Sequence, residues 1–409
     1  MKDKTNPNRA RSAPHKDDRR AVHRSRRAVL VSFGLGAGAV GLGTAASLIT
    51  ATGRANRPAA RPGAPAVLSA RNAPRRLQMV TTWPKNFPGL GTGAVRFARR
   101  IEEMSGGAIH VTVYAAGELV PALQAFDAVS QGKADMYHAA EYYWQGRSLA
   151  FNFFAAVPMG LLARELNAWV HFGGGQELWD ELAARFAIKP MLAGNTGPQM
   201  GGWFKKPIRS LADFQGLRMR IPGLGGEVVK RMGGTPVTKA GGELFQALDQ
   251  GNIDATEWVG PWNDMAFAFH TIADYYYYPG FHEPGTGLSC GINRKVWDGL
   301  DEAERAVIRS AAAAETMVMH AEFEHENALA LQRLLKMPRL QVAPFPEDVQ
   351  QAMARISAQV LEEVAARDPF TRRVYESFLA ARTRSMAWGK ISEEAFAHAR
   401  RLVAVDAQG

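Results

Sequence analysis

The sequence predicts an α/β fold built as two lobes, on three observations. The chain has 409 residues, which exceeds one ordinary hydrophobic core and suits two domains of roughly 130 to 170 residues each. From Leu77 onward, short apolar runs alternate with amphipathic segments, the pattern of parallel strands joined by helices. A helical stretch without Pro or Gly then runs from Asp301 to Lys336. At 1.5 Å per residue it spans about 50 Å, enough to lie across two lobes.

The positive charge of the chain is confined to its beginning. Residues 1–76 hold 16 Lys/Arg and 3 Asp/Glu, whereas the rest holds 33 Lys/Arg and 36 Asp/Glu. The body is therefore slightly acidic despite the net charge of +10, which argues against nucleic-acid binding. The single cysteine, Cys290, excludes an intrachain disulfide. It lies in the apolar run L-S-C-G-I-N, so we interpret it as a small buried hydrophobic residue.

Residues 1–53 are predicted to be an export signal that directs the protein to the periplasm. A basic region is followed by a Gly/Ala/Val/Leu stretch that runs to about Ala51, the order of a secretory signal. The pair Arg26-Arg27 resembles a twin-arginine signal. Cleavage near Ala51 to Ala55 is favoured over an uncleaved membrane anchor because the many glycines disfavour a stable spanning helix. Residues 54–76, rich in Arg, Pro and Ala, predict a disordered linker.

The first lobe is predicted from residues 77–194 and 284–336. Because strands and helices alternate here, we expect a parallel sheet flanked by helices. Asp301 and Glu304 form the capping box of its last helix. The predicted strands are 77–83, 108–114, 134–144, 188–194 and 288–293, and the predicted helices are 92–104, 121–132, 164–186 and 301–336.

The second lobe is predicted from residues 195–283 and 337–409, and it carries most of the candidate binding residues. Apolar runs end in polar groups there, which indicates strand ends, where open sheets present ligands. We therefore expect a binding cleft. After Pro346 the chain is predicted to be helical to its end, with breaks at Asp368-Pro369 and near Gly389. The runs are 194–203 (G-N-T-G-P-Q-M-G-G-W), 216–223 (G-L-R-M-R-I-P-G), 251–264 (G-N-I-D-A-T-E-W-V-G-P-W-N-D) and 275–285 (Y-Y-Y-Y-P-G-F-H-E-P-G).

Three charged residues of this lobe predict a site that binds an organic anion together with a cation. Arg220 ends an alternating strand, where a guanidinium can bind a carboxylate bidentately. A surface arginine is the alternative, and it fits Arg218 better. Glu257 and Glu283 beside Arg220 would repel an organic acid unless a cation lay between them. A cation held by these carboxylates, the amide of Gln199 and a main-chain carbonyl would remove the repulsion.

Two further patterns point to other chemistries. The loop Gly89–Ala94 contains G-x-G-x-x-A, although a proline-rich segment separates it from the preceding strand. An exported NAD(P)-dependent oxidoreductase is therefore the alternative function, and a cell-surface structural protein is a third. His138 and Glu141 have a metal-ligand spacing but lie at a strand end, and Tyr142 with Tyr143 is expected to line the cleft. The expected apolar wall comprises Trp83, Phe87, Tyr142 and Trp203.

From about Leu77 to its end, the chain resembles the periplasmic solute-binding proteins of tripartite ATP-independent periplasmic (TRAP) transporters. Within them it is similar to the metal-containing 2-oxo-acid and lactate binders. The resemblance implies a two-lobe periplasmic binding protein fold with hinge strands and a long spanning helix. It also implies a protein without enzymatic activity that delivers its ligand to the TRAP membrane permease. The segments that carry it are 116–125 (A-G-E-L-V-P-A-L-Q-A), 194–204, 216–220 and 251–261.

The resemblance also implies roles for single residues. The carboxylate of the ligand would bind Arg220, and a sodium or calcium ion would contact both protein and ligand. Trp258 stands where many dicarboxylate binders have Asn, which favours a 2-oxo or 2-hydroxy monocarboxylate. Some metal-containing members are dimers, so the helices after Pro346 are expected to join a homodimer. The predicted ligand-binding residues are Arg220, Gln199, Trp258, Asn195, Tyr142 and Tyr143, and the predicted metal ligands are Gln199, Glu257, the main chain of Trp258 and Glu283.

Overall fold

The computed structural model describes residues 73–403. The predicted export signal with its Arg26-Arg27 pair, the cleavage region and most of the predicted linker lie outside the described residues, and β1 already begins at Arg75. None of the described helices has the length and apolar character needed to cross a bilayer.

Strands and helices alternate through most of the described chain, as the sequence predicts. The strands are β1 Arg75–Thr81, β2 Ile109–Tyr114, β3 Met136–Ala139, β4 Ile188–Asn195, β5 Gly202–Phe204, β6 Arg218–Arg220, β7 Thr235–Val237, β8 Ala255–Thr256, β9 Tyr275–Tyr278, β10 Gly287–Asn293 and β11 Gln341–Pro344. The helices are α1 Leu90–Met104, α2 Ala125–Ser130, α3 Ala163–Phe172, α4 Gly175–Ala184, α5 Gly223–Arg231, α6 Leu244–Asp249, α7 Pro261–Ala266, α8 Arg294–Asp298, α9 Glu302–Leu334, α10 Glu347–Ala365, α11 Pro369–Ile391 and α12 Glu393–Arg400.

The first sheet has the strand order β2-β1-β3-β10-β4. β1 runs parallel to β2 and β3, but β10 runs antiparallel to both of its neighbours. The expectation of a parallel sheet is therefore wrong for β10. This strand enters the sheet from the edge at which β4 leaves it, since Gly287 at the start of β10 pairs with Asn195 at the end of β4. The two chain crossings to the second sheet thus lie side by side.

The second sheet has the order β11-β9-β5-β8-β6-β7. β5 is antiparallel to β8 and β9, whereas β6 is parallel to β7 and β8. Arg220 at the end of β6 pairs with Thr256 at the end of β8. Since parallel strands end at the same edge of a sheet, this register brings Arg220 next to Glu257, the residue that follows β8.

Helix α9 packs against elements associated with each of the two sheets, which confirms the predicted spanning helix. Its capping box is as predicted, because Glu304 N donates to Asp301 Oδ1 at 2.8 Å and Asp301 N donates to Glu304 Oε2 at 2.9 Å. The helix contacts β4 and α1 of the first sheet and α7, which follows the second sheet's β8. Two glycines permit this close packing: a Cβ on Gly93 or Gly194 would lie within 2.6 Å of Met319.

Several element boundaries differ from the sequence predictions. The helix predicted over 164–186 is two helices, α3 and α4, because the chain turns at Gly174 with φ +84°. The strand predicted over 134–144 ends at Ala139 and is followed by a 3-10 helix, Glu141–Trp144. The break predicted near Gly389 is found at Ser392, between α11 and α12. The predicted helix over 121–132 is a 3-10 turn, Ala122–Gln124, followed by α2.

The C-terminal helices pack against helices that belong to both halves of the fold. α10 packs against α5, whereas α11 packs back on α3 and α4 and on the 3-10 helix Leu149–Phe154. The lobe boundaries drawn from the sequence, which place all of 337–409 in the second lobe, remain a prediction. Cys290 is fully buried in β10, as expected.

Candidate functional site

Strand ends and crossings from both sheets meet at one buried cluster of polar side chains. β6 supplies Arg220, and the segment after β8 supplies Glu257 and Trp258. The crossing after β4 supplies Gln199, and the return crossing before β10 supplies Glu283. The 3-10 helix Glu141–Trp144 of the first sheet adds Tyr142 and Tyr143. The structure therefore brings together most of the residues that the sequence predicts for the site.

Arg220 is paired with Glu257 inside the protein. The side chains are 1% and 0% exposed, and Arg220 Nη1 donates to Glu257 Oε1 and, at 3.2 Å, to the main-chain oxygen of Glu257. Arg220 Nε donates to Lys239 O at 3.3 Å, and the guanidinium lies 5.0 Å from the ring centroid of Trp258. Nη2 has no hydrogen-bond partner among the described residues. This end of the guanidinium can therefore donate to a further oxygen.

Glu283 and Gln199 form the second half of the cluster. Gln199 Nε2 donates to Glu283 Oε2 at 2.8 Å and to Thr286 Oγ1 at 3.0 Å. Tyr142 OH donates to the same carboxylate oxygen at 3.3 Å, and Thr286 Oγ1 donates to it as well. Gln199 Oε1 is buried and has no partner among the described residues. An amide oxygen thus lies beside a carboxylate, free to bind a cation.

His282 is the site residue that sequence reasoning missed. Its Nε2 lies 3.0 Å from Glu257 Oε2, and the side chain is 1% exposed. One ring nitrogen and one carboxylate oxygen each from Glu257 and Glu283 all lie within 4.8 Å of one another. The residue directly precedes Glu283 in the run F-H-E-P-G, and that adjacency was the available signal. Thr196 and Thr286, which line the cavity, were also missed.

Burial and mutual repulsion govern the charges of this cluster. Burial, followed by the negative charge of Glu257, raises the pKa of Glu283 to about 7. Burial lowers the pKa of His282, but the hydrogen bond that its ring donates to Glu257 and the charges of both carboxylates outweigh this effect, so the pKa is raised. The two carboxylates therefore repel each other, as expected from the sequence. A cation between them would stabilise both in their charged forms.

The donor set fits such a cation. Glu257 and Glu283 supply carboxylate oxygens, and Gln199 Oε1 supplies the unpaired amide oxygen. These are the oxygen ligands that calcium and sodium prefer. The role predicted for the main chain of Trp258 stays a prediction.

A small cavity adjoins the cluster, and four of its ten lining residues are aromatic. It encloses about 10 Å³, room for a single water molecule. A bound acid therefore requires these side chains to move apart. The lining residues are Trp83, Leu90, Tyr142, Tyr143, Thr196, Gln199, Trp258, Val259, Thr286 and Leu288.

The charged residues Arg220, Glu257 and Glu283 lie outside this lining, and so do three other predicted residues. Trp203, expected in the wall, instead stacks on Tyr276 at 4.0 Å and donates to Asp264 at 3.0 Å in the core, because β5 turns its side chain inward. Phe87 packs edge-on against Trp258 at 6.0 Å from behind the cavity. Asn195 Oδ1 accepts from Gly197 N at 2.8 Å, so the observed contact shapes the turn that leads to Gln199.

The other candidate motifs have structural roles. His138 Nδ1 accepts from Trp83 Nε1 at 2.8 Å, and its Nε2 donates to Ala193 O at 3.1 Å. Burial lowers the pKa of His138 to about 4, so the ring is neutral and holds Trp83 in the cavity wall. Glu141 accepts from Tyr137 OH at 2.7 Å, away from His138.

The Gly89–Ala94 loop is packed against aromatic rings. A Cβ on Gly89 would lie 2.7 Å from both Phe323 and Trp262. The start of α1 is therefore covered, and a dinucleotide pyrophosphate does not fit there.

Comparison with known proteins agrees with the resemblance that the sequence motifs indicate. Residues 79–368 match the family model for bacterial extracellular solute-binding proteins, family 7. The monocarboxylate 2-oxoacid-binding periplasmic protein of Nostoc sp. (strain PCC 7120) is 41% identical over 318 residues, which cover 78% of this chain and 87% of that protein.

Two solved structures resemble the fold closely. A TRAP transporter solute-binding protein from Bordetella bronchiseptica has a TM-score of 0.79 and 34% identity, covering 81% of this chain and 98% of that one. It is a mixed-occupancy dimer, with copurified calcium and picolinate in one active site versus an apo site. A TRAP periplasmic solute-binding protein from Pseudoalteromonas atlantica, with bound sodium and pyruvate, has a TM-score of 0.77 and 36% identity, covering 80% and 99%.

Proposed function

Because the chain belongs to the bacterial extracellular solute-binding proteins of family 7, we propose that it captures a 2-oxo or 2-hydroxy monocarboxylate and delivers it to a TRAP membrane permease. The matched relatives are solute-binding proteins and not enzymes. The observation that carries the ligand assignment is the buried cluster of Arg220, Glu257, Glu283 and Gln199, beside a cavity to which four aromatic residues contribute. Relatives with more than a third of their residues identical bind 2-oxoacids or pyruvate, which supports the same ligand class.

The residues have separate tasks in this proposal. Arg220 exchanges part of its contact with Glu257 for the carboxylate of the acid, and its unpaired Nη2 makes a bidentate contact possible. A calcium or sodium ion held by Glu257, Glu283 and Gln199 Oε1 neutralises the two carboxylates and supplies positions for ligand oxygens. Trp83, Trp258, Tyr142 and Tyr143 exclude water from the bound acid. Asn195 and the main chain of Trp258 complete the proposed site.

Calorimetric titration with a panel of acids tests the ligand class. In calcium-containing buffer, we expect pyruvate or lactate to bind about tenfold or more tightly than succinate, a difference of about 1.4 kcal/mol in binding free energy. The reason is that a second carboxylate has no cationic partner in the aromatic wall. Tighter binding of succinate than of every monocarboxylate tested would overturn the assignment.

We propose that the Arg26-Arg27 pair directs export by the twin-arginine route to the periplasm. Replacement of both arginines by lysine is expected to abolish periplasmic accumulation, since that route recognises the pair itself. Fractionation and immunoblotting measure the result, with Arg19→Lys/Arg20→Lys as the matched control. Unchanged periplasmic yield of the Arg26/Arg27 variant would indicate the general secretory route instead.

We propose that the protein forms a homodimer through α11 and α12. These helices expose Trp388, Ile391 and Phe396, whose exposures are 62%, 70% and 68%. Exposed apolar residues clustered in this way are typical of an interaction surface, and the dimeric Bordetella relative supports a second copy as the partner.

Trp388→Glu with Ile391→Glu should halve the mass measured by light scattering. Met317→Glu, an equally exposed position on α9, should not. An unchanged mass of the double variant, or a monomeric wild type, would contradict the proposal.

A further inference from the structure

We propose that His282 is a positioning residue: it holds one oxygen of Glu257 and thereby keeps half of the Arg220 guanidinium open to the carboxylate of the ligand. The inference rests on the proposed function in one respect, that Arg220 binds the acid. It concerns the reason why a buried arginine beside a buried glutamate stays available to a third group.

Arg220 and Glu257 could bind each other completely, but they do not. A guanidinium and a carboxylate commonly join through two parallel hydrogen bonds, which is a strong form of this pair. Both side chains are buried, which limits competition by water. Arg220 Nη1 nevertheless donates to only one carboxylate oxygen, Oε1, and Nη2 has no hydrogen-bond partner among residues 73–403. The pair is therefore half formed.

His282 occupies the second oxygen of the carboxylate. Its Nε2 lies 3.0 Å from Glu257 Oε2, whereas Arg220 contacts Oε1, so each oxygen has its own donor. The other ring nitrogen, Nδ1, is buried and has no partner in the described part of the chain. The side-chain hydrogen bonding of His282 is thus directed at Glu257. If Oε2 were free, it could accept from Arg220 Nη2 and complete the two-bond pair.

The packing around His282 holds the ring at this oxygen. The side chain is 1% exposed, and its ring lies edge-on to Phe281 with centroids 5.3 Å apart. On the side of α5, a Cβ added to Gly225 would lie 2.6 Å from His282 Cβ. A residue larger than glycine at position 225 would therefore displace His282. A glycine inside a helix makes room for the contact with Glu257.

Calorimetric titration of the full-length protein with pyruvate in calcium-containing buffer tests this role. His282→Leu removes the donor, so Glu257 should pair with Arg220 through both oxygens, and we expect an affinity about tenfold below that of the wild type. His282→Gln, whose amide nitrogen can replace Nε2, should bind within about threefold of the wild type. In a Glu257→Gln background the two-bond pair cannot form. His282→Leu should then cost less than about twofold further.

A crystal structure of the unliganded His282→Leu protein gives a readout that does not depend on binding. It should show Nη1 and Nη2 of Arg220 on the two oxygens of Glu257. His110→Leu is the matched control, because His110 forms a pair of the same length, 3.0 Å, with Glu102 at the surface. This variant should bind pyruvate like the wild type.

A His282→Leu protein that binds pyruvate within about threefold of the wild type, or whose crystal structure leaves Nη2 of Arg220 unpaired, overturns the inference. An equal loss in the Glu257→Gln background also overturns it, since His282 would then not act through Glu257. If His282→Leu does not fold, a His282→Gln protein that binds about tenfold more weakly than the wild type overturns it instead. Wild-type protein that binds none of the monocarboxylates would refute the proposed function, whereas the pairing of Arg220 in the variant is measured without ligand and is decided separately.

Discussion

Arg220→Lys is expected to weaken binding of the organic acid by about 30- to 1000-fold, corresponding to about 2 to 4 kcal/mol of binding free energy. Lysine keeps the positive charge but cannot donate two parallel hydrogen bonds to a carboxylate. The side chain of Arg220 is 1% exposed, so water cannot substitute for the lost donor. Isothermal titration with the preferred acid measures the change.

The neighbouring Arg218→Lys is the matched control. Arg218 lies on the same strand, but it is exposed and pairs with Asp254 at 2.7 Å, so its replacement should leave affinity unchanged within about twofold. Lysine is preferred to alanine at position 220 because Arg220→Ala leaves Glu257 buried without its guanidinium. Such a loss costs about 3 to 5 kcal/mol in the free energy of unfolding. An Arg220→Lys protein that binds within about threefold of wild type would show that Arg220 is not the anchor.

Removal of the cation is expected to weaken acid binding by about tenfold or more and to cancel the preference for pyruvate over propionate. Without the cation, the single guanidinium of Arg220 does not balance two carboxylates, so Glu257 and Glu283 repel each other and the acid, and burial prevents screening by water. A carboxylate oxygen and the 2-oxo oxygen of pyruvate can bind one cation together, whereas propionate lacks the second oxygen. Calorimetry after chelator treatment measures both effects.

Added calcium should restore binding of pyruvate in the same preparation, which controls for damage by the chelator. Glu118→Gln, on the surface in a pair with Lys85, should respond to chelator like the wild type. Equal affinity before and after chelation, together with equal binding of propionate and pyruvate, would mean that Glu257 and Glu283 act as ordinary hydrogen-bonding residues.

The sequence indicated which polar residues lie close together better than it indicated the local shape of the chain. Arg220, Glu257 and Glu283 each follow a short apolar run, and such runs end at the same edge of a sheet. Their proximity could therefore be inferred without coordinates. The pairing of Arg220 with Glu257 could not, because it depends on the parallel register of β6 and β8.

Two misassignments have clear physical causes. Trp203 was expected in the wall, but side chains alternate across a strand, and only the packing against Tyr276 decides which face of β5 is the core. His282 was overlooked because a lone histidine in a Gly/Pro-rich turn has no periodic pattern to mark it. Its contact with Glu257 is made across 25 residues, a distance that local sequence does not reveal.

The central position of β10 ties the folding of the two sheets together. β3 and β4 do not pair with each other in the strand order; β10, which follows the whole second-sheet segment up to β9, pairs with both of them. A nascent chain that has not yet emerged to residue 293 therefore leaves two exposed strand edges, which are prone to aggregation. The first sheet is complete only when β10 has been inserted between β3 and β4, and β10 is synthesised after the strands of the second sheet up to β9. Folding is consequently dominated by long-range contacts, which makes it slow.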